Sequence, residues 1–182
     1  MNDELRIMNN GKILIANIGS ASKKYALYNE DKCVLVAHFE HEKAGYAASW
    51  NINGTTDKKT VTEEEFVAAA AAVIKTAHIE KLLAGEPDAI GIRVVAPGKY
   101  FTEHRKIDAE YLTKLEAAQE LAPLHVTATL AEIKELRQLF PSTPLVGASD
   151  SAFHKTMPEI ARRYALPESL VKEYELYRYG YH

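Results

Sequence analysis

The sequence predicts an α/β domain built on a mixed sheet, with an antiparallel meander at one side and helices covering it. Three observations carry this. Three strand-like runs, the first rich in β-branched residues, follow one another at about 12–18, 24–29 and 33–40. Two further apolar runs, Ala89–Val95 and Leu145–Ser149, stand apart. Helical stretches separate those two runs, and strands followed by alternating helices and strands build a helix-covered sheet.

Residues 1–11, opening MNDELRIMNN, read as a polar leader without the features of a signal peptide. Asn29-Glu30-Asp31 forms a turn between the second and third strands. Residues 41–60 read as a loop region because of Asn51, Asn53, Gly54 and Asp57, with short strands at its margins, one near Lys58–Val61. Thr62 followed by Glu65 is a capping box, which starts an alanine-rich helix from Glu63 to about His78. Gly85-Glu86-Pro87 breaks the chain before the Ala89–Val95 strand, and Ala96-Pro97-Gly98 makes a turn after it. Asp108 caps a helix from about Ala109 to Glu120. A second helix spans Val126–Leu139, with apolar residues at Leu130, Ile133, Leu136 and Leu139. Leu145–Ser149 is a buried strand ending at Asp150. The last thirty or so residues are helical in part, and Tyr174, Leu176, Tyr177, Tyr179 and Tyr181 are spaced like a strand with one face needing cover. That tail is expected to fold back on its own domain or to pair with another copy.

With 182 residues, the chain can bury one sizeable core. A hydrophobic content of 47% and a charged content of 26% argue for a folded protein. The net charge of -3 gives no support for nucleic-acid binding. No apolar run approaches a membrane span. The single cysteine, Cys33, excludes an internal disulfide framework and fits a reducing cytoplasmic setting; its apolar neighbours predict burial.

The most informative stretch is KILIANIGSASKKYALY, from Lys12 to Tyr28. Its hairpin tip carries Asn17, Gly19, Ser20, Ser22, Lys23 and Lys24. Turn N–H groups, hydroxyls and a lysine suit a phosphate chain, and Asn17 suits a metal ion directly or through its water. An ordinary polar turn uses the same residues. The spacing is not that of a Walker P-loop. Asn17, Arg93 and Asp150 all stand near carboxyl ends of predicted strands, where open α/β sheets bind ligands. Taken singly, each has a plainer reading: Arg93 as a salt-bridged structural residue, Asp150 as a helix cap, His125 as a helix-start histidine.

These segments together resemble the acetate kinase family, within the acetate and sugar kinase, heat-shock and actin (ASKHA, ribonuclease H-like) superfamily. ANIGSASKKY is similar to the family's N-x-G-S-S-S-x-K, and GIRVVAPG resembles G-H-R-V-V-H-G-G. LAPLH matches A-P-L-H, SDSAFHKTMP resembles F-D-T-A-F-H-x-T-M-P, and RYGYH is similar to the start of R-Y-G-F-H-G-T-S. The resemblance implies reversible phosphoryl transfer from ATP to acetate or another short-chain carboxylate, with Mg2+. It assigns Asn17, Ser20, Ser22 and Lys24 to the phosphate and metal side. It gives Arg93 to the carboxylate or the transferring phosphoryl group, and His125 and His182 to the phosphoryl oxygens. Asp150 acts through the metal or orients the nucleophile, and Val95, Leu124 and Tyr181 line an acyl pocket. Ile92, Ala96, Pro97, Ala21, Val126 and Tyr181 depart from the family pattern.

The resemblance also divides the chain into a leader (1–11), an N-terminal ASKHA domain (12–150) and the start of a truncated second domain (151–182). On that division, the isolated chain is not expected to turn over. The implied partners are ATP, a carboxylate, and either a second copy or a chain carrying the second half. The alternatives are a non-catalytic module that binds phosphate or acyl phosphate, and half of a split kinase.

Overall fold

The computed structural model describes residues 11–179. The meander forms as predicted from β1 (Lys12–Ile18), β2 (Ser22–Asn29) and β3 (Lys32–Glu42). It does not stop there. The region read as a loop with short strands at its margins is a full second hairpin, β4 (Gly45–Ile52) and β5 (Thr55–Val61), which takes in the strand expected near Lys58–Val61. Its turn is Asn53-Gly54, with φ of 49° and 90°, the left-handed conformations that a tight hairpin turn requires. The Asn51 side chain accepts the Gly54 N–H at 3.1 Å, so asparagines that suggested a loop in fact close a turn.

The capping box forms around Thr62 and Glu65. The single helix expected after it is broken at Ala68 into α1 (Glu63–Val67) and α2 (Ala69–Ile79). β6 (Ala89–Val94) follows, then a 3-10 turn (Lys99–Thr102) and the two-residue β7 (Arg105–Lys106), both unforeseen. α3 (Ala109–Ala118) starts at the Asp108 cap, which accepts the Tyr111 N–H at 2.8 Å. α4 (Pro123–Leu139) begins three residues earlier than predicted, because proline fits the first turn of a helix, where no N–H partner is needed. β8 (Leu145–Ser149) leads into the short helices α5 (Asp150–Phe153), α6 (Glu159–Arg162) and α7 (Glu168–Glu173).

The eight strands lie in the order β5-β4-β3-β2-β1-β6-β8-β7. β1, β6 and β8 run parallel, so their carboxyl ends come out side by side. Alternate residues face a core that α2 and α4 cover: Leu14, Ala16, Tyr25, Leu27, Ala37, Phe39, Ile90 and Ile92 join Val73, Ile74, Val126, Ile133 and Leu136 in one cluster. The opposite face is open: Ile15 on β1 is 38% exposed and Val36 on β3 41% exposed. Asn17 and Lys24 are direct cross-strand partners and therefore share this open face.

Cys33 is exposed rather than buried, since it emerges beside the Glu30–Asp31 turn at the start of β3. The tail makes a helical turn where a strand was expected. Tyr174 caps α7, and only an isolated bridge, Arg163 to Tyr177, has strand character. The Arg178 N–H bonds to Arg162 O at 2.8 Å, so the described tail folds back on its own chain. Tyr181 lies outside the described residues.

Candidate functional site

Arg93 is the second-last residue of β6, flanked by the buried Ile92 and Val94, so its side chain leaves the sheet on the open face. Its Nε donates to Asp150 Oδ1 at 2.8 Å and its Nη2 to Asp150 Oδ2 at 2.6 Å, a fork-to-fork pair. Its Nη1 donates to Asn17 Oδ1 at 3.3 Å. Three neighbouring strands thus deliver three polar groups to one point. The Asp150 hydrogen bonds raise the Arg93 pKa further, on a guanidinium that is charged in any case. Asp150 does not cap a helix. α5 starts at Asp150 itself, and the carboxylate is spent on Arg93.

The turn after β1 is closed by the Gly19 N–H bonding to Ser22 O at 2.8 Å. The fold does not demand glycine at position 19: its φ is not left-handed, and a Cβ would meet Ser22 O at an ordinary 3.5 Å. What glycine leaves is open backbone. Among the described residues, the hydroxyls of Ser20 and Ser22 and the ammonium of Lys24 have no hydrogen-bond or ion-pair partner. Lys23 differs. It lies on the covered face, with Nζ donating to Val67 O at 2.7 Å and to Glu132 Oε2 at 3.3 Å. Glu132 is 1% exposed and also accepts the Tyr25 hydroxyl at 2.7 Å. Burial and the adjacent Glu132 push the Tyr25 pKa up, so that phenol remains a donor.

The other predicted residues are less gathered. His125 and Leu124 sit in the first turn of α4, both exposed, Leu124 by 74%. Among the described residues, no hydrogen bond or ion pair joins the His125 side chain to the Asn17–Arg93–Asp150 group. Val95 is half-buried just past β6. Tyr181 and His182 lie outside the described residues. Sequence reasoning passed over His104, whose Nδ1 accepts the Ser149 N–H at 3.2 Å immediately before Asp150. A histidine ahead of a two-residue strand gives no pattern by which to find it. The hydroxyls of Ser20 and Ser22, and the Asn17 amide oxygen with a lone pair beyond its Arg93 bond, are hard oxygen donors of the type that magnesium takes alongside phosphate oxygens.

The Acetokinase family pattern matches residues 12–182. The chain is 37% identical over 173 residues to the acetate kinase of Pseudomonas aeruginosa, covering 93% of this chain and 43% of that protein. It is 36% identical over 179 residues to the acetate kinase of Thermoanaerobacter pseudethanolicus, covering 94% of this chain and 45% of that protein. Among solved structures, the acetate kinase of Porphyromonas gingivalis superposes with a TM-score of 0.80 at 30% identity, covering 94% of this chain and 45% of that one. A propionate kinase from Francisella tularensis gives 0.77 at 32% identity, with the same coverage of 94% and 45%. The chain therefore spans less than half the length of these relatives, and it shares the ASKHA fold of their structures. On the family pattern and these identities, the chain is a member of the acetokinase family.

Proposed function

We propose that this chain forms the N-terminal half of an acetate kinase-like phosphotransferase. In this reading residues 12–150 are the first ASKHA domain and residues 151–182 open the second. The reaction is reversible phosphoryl transfer from ATP to acetate, or another short-chain carboxylate, in the cytoplasm. A carboxylate oxygen bonds to the γ-phosphorus, the bond from that phosphorus to the β,γ-bridging oxygen breaks, and ADP leaves with the electron pair. Turnover is proposed for this half joined to, or paired with, a second half.

The observation that carries the reading is the unspent chemistry beside the trio. Lys24, Ser20 and Ser22 are uncommitted at the turn that follows β1, and Lys24 shares the open face of Asn17. A carboxylate is already a nucleophile and needs no strong base. The work lies in placing it and in meeting the phosphoryl charge with fixed donors. Arg93 offers its remaining N–H groups to the carboxylate or the phosphoryl oxygens. Lys24, the Ser20 and Ser22 hydroxyls and the Gly19 turn hold the phosphate chain. His125 and His182 donate to the phosphoryl oxygens, and Val95, Leu124 and Tyr181 surround the acyl methyl group. Magnesium, when bound, screens phosphate charge; Asn17 would hold it, directly or through its water, and Asp150 acts through the metal or orients the nucleophile. Asp150 already orients Arg93.

Nuclear magnetic resonance titration of the 182-residue chain with magnesium-ATP and with acetyl phosphate tests this. Shifts concentrated at Asn17, Gly19–Lys24, Arg93 and Asp150 are expected. Shifts centred elsewhere, or none at millimolar ligand, would overturn the reading.

A further inference from the structure

We propose that His104 is a positioning residue that sets the peptide from which Asp150 projects. β7 pairs with β8 only at Arg105–Gly147 and Lys106–Val146. One residue before β7 begins, a ring nitrogen takes over from the backbone: His104 Nδ1 accepts the Ser149 N–H at 3.2 Å. Ser149 is 2% exposed, and a buried N–H left unpaired is costly. Its own hydroxyl is buried with no partner, so among the described residues no Ser149 side-chain bond anchors this junction. The next residue is Asp150, both of whose oxygens are held by Arg93.

The neighbouring Glu103 adds a second point of attachment. Its carboxylate meets Lys155 Nζ at 3.3 Å, just beyond the C-terminal end of α5. Residues 103 and 104 therefore contact the chain on both sides of α5, through the buried Ser149 amide before it and an exposed ion pair with Lys155 after it, so the Ser149 bond is the one that fixes position. The hydrogen bond also fixes the ring chemistry. A nitrogen that accepts an N–H carries no proton, so the neutral ring holds its proton on Nε2. The bond is available only while Nδ1 is unprotonated.

Positioning of the Arg93–Asp150 pair follows from the geometry alone; its value for turnover rests on the function proposed above. Three readouts on the 182-residue chain test the positioning without any ligand, so they stand whether or not that function holds. Long-range proton–nitrogen correlation on the His104 ring should show the Nε2–H tautomer. His104→Ala should speed hydrogen exchange of the Ser149 amide by roughly fivefold or more, the scale of one lost hydrogen bond, and speed exchange of the Arg93 Nε–H with it. His104→Asn, whose side-chain oxygen takes the place of Nδ1, should restore both rates; His104→Gln, with its polar group one bond further out, should not. An Nδ1–H ring in the native chain would overturn the proposal. So would an unchanged Arg93 Nε–H in His104→Ala, or equal behaviour of the Asn and Gln variants.

Discussion

Arg93 and Asp150, 57 residues apart in the chain, meet fork to fork at 2.8 and 2.6 Å. Three of the five N–H groups of the guanidinium are committed, two to Asp150 and one to Asn17. Any oxyanion arriving at this point meets the remaining two and competes with a carboxylate already in place. Substitutions on the two sides of the pair should therefore have opposite signs. Asp150→Asn removes the competing negative charge and one of the two fork acceptors, and should tighten inorganic phosphate binding while abolishing phosphoryl transfer. Arg93→Lys keeps the charge but loses the fork, and should weaken phosphate binding by roughly ten- to a hundredfold. Calorimetric titration of the variants, with hydroxamate trapping for turnover in a protein carrying both halves, checks both outcomes.

The buried network under α4 predicts a large stability effect. Glu132→Ala leaves the Lys23 ammonium and the Tyr25 hydroxyl without their shared carboxylate. Removing one partner of a buried pair costs about 3–5 kcal/mol. Glu132→Gln still accepts from Tyr25 and should cost less. Urea unfolding of both variants, and of Glu132→Ala combined with Tyr25→Phe, should show losses that are not additive, as expected within one network.

Two glycines in the parallel strands should respond differently to a methyl group. At Gly147 a Cβ would collide with the Tyr111 hydroxyl and lie 2.7 Å from its Cζ, and Tyr111 is fully buried. Gly147→Ala should therefore cost about 1–3 kcal/mol. At Gly91 the new Cβ meets only the end of Ile15, 2.9 Å away on the open face, and that end can rotate. Gly91→Ala should change stability by no more than about 0.5 kcal/mol. Thermal melts of the two variants make the comparison.

Glu135 supplies a pH test. Burial first, and then the charge of Glu132, raise its pKa above the ordinary carboxylate value. The folded chain thus holds this proton more tightly than the unfolded chain does. Its contribution is fully present below about pH 4 and is lost as pH rises through the raised value. At neutral pH the ionised side chain is a liability. Glu135→Gln should stabilise the chain there by under about 1 kcal/mol, because the group is half-exposed and solvent screens it. The gain should vanish in acid, and melting curves across the range would show the crossing.

The parts of the fold that the sequence displayed were those where local chemistry and tertiary burial agree. β1, β2, β6 and β8 carry apolar residues toward a covered face, and Thr62 and Asp108 announce helix starts with their own hydrogen bonds. Only the end of β5, near Lys58–Val61, was legible, because Thr55–Thr60 is polar and exposed on both faces and only backbone pairing with β4 makes it a strand. Lys58 and Lys59 then keep that edge from recruiting another chain. Of the site, Asn17, Arg93 and Asp150 could be singled out as strand-end polar residues, but the bond that makes Asp150 a partner of Arg93 rather than a cap is tertiary. The division of labour between Lys23 and Lys24 was invisible for a related reason. It depends on which side of the strand α4 lies.

The order of strands also governs when the site can exist. β1 to β5 pair with sequence neighbours through short turns, so that half of the sheet closes only small loops as it forms. β6 and β8 must return from far along the chain, and such non-local pairing is the slow part of folding. Asn17 belongs to the early half, whereas Arg93, 76 residues on, and Asp150 belong to the late one. A chain that has closed only its meander presents the Gly19 turn but not the Arg93 fork. Anion binding at this point would thus register completion of the sheet, and a refolding experiment would recover it in the last phase.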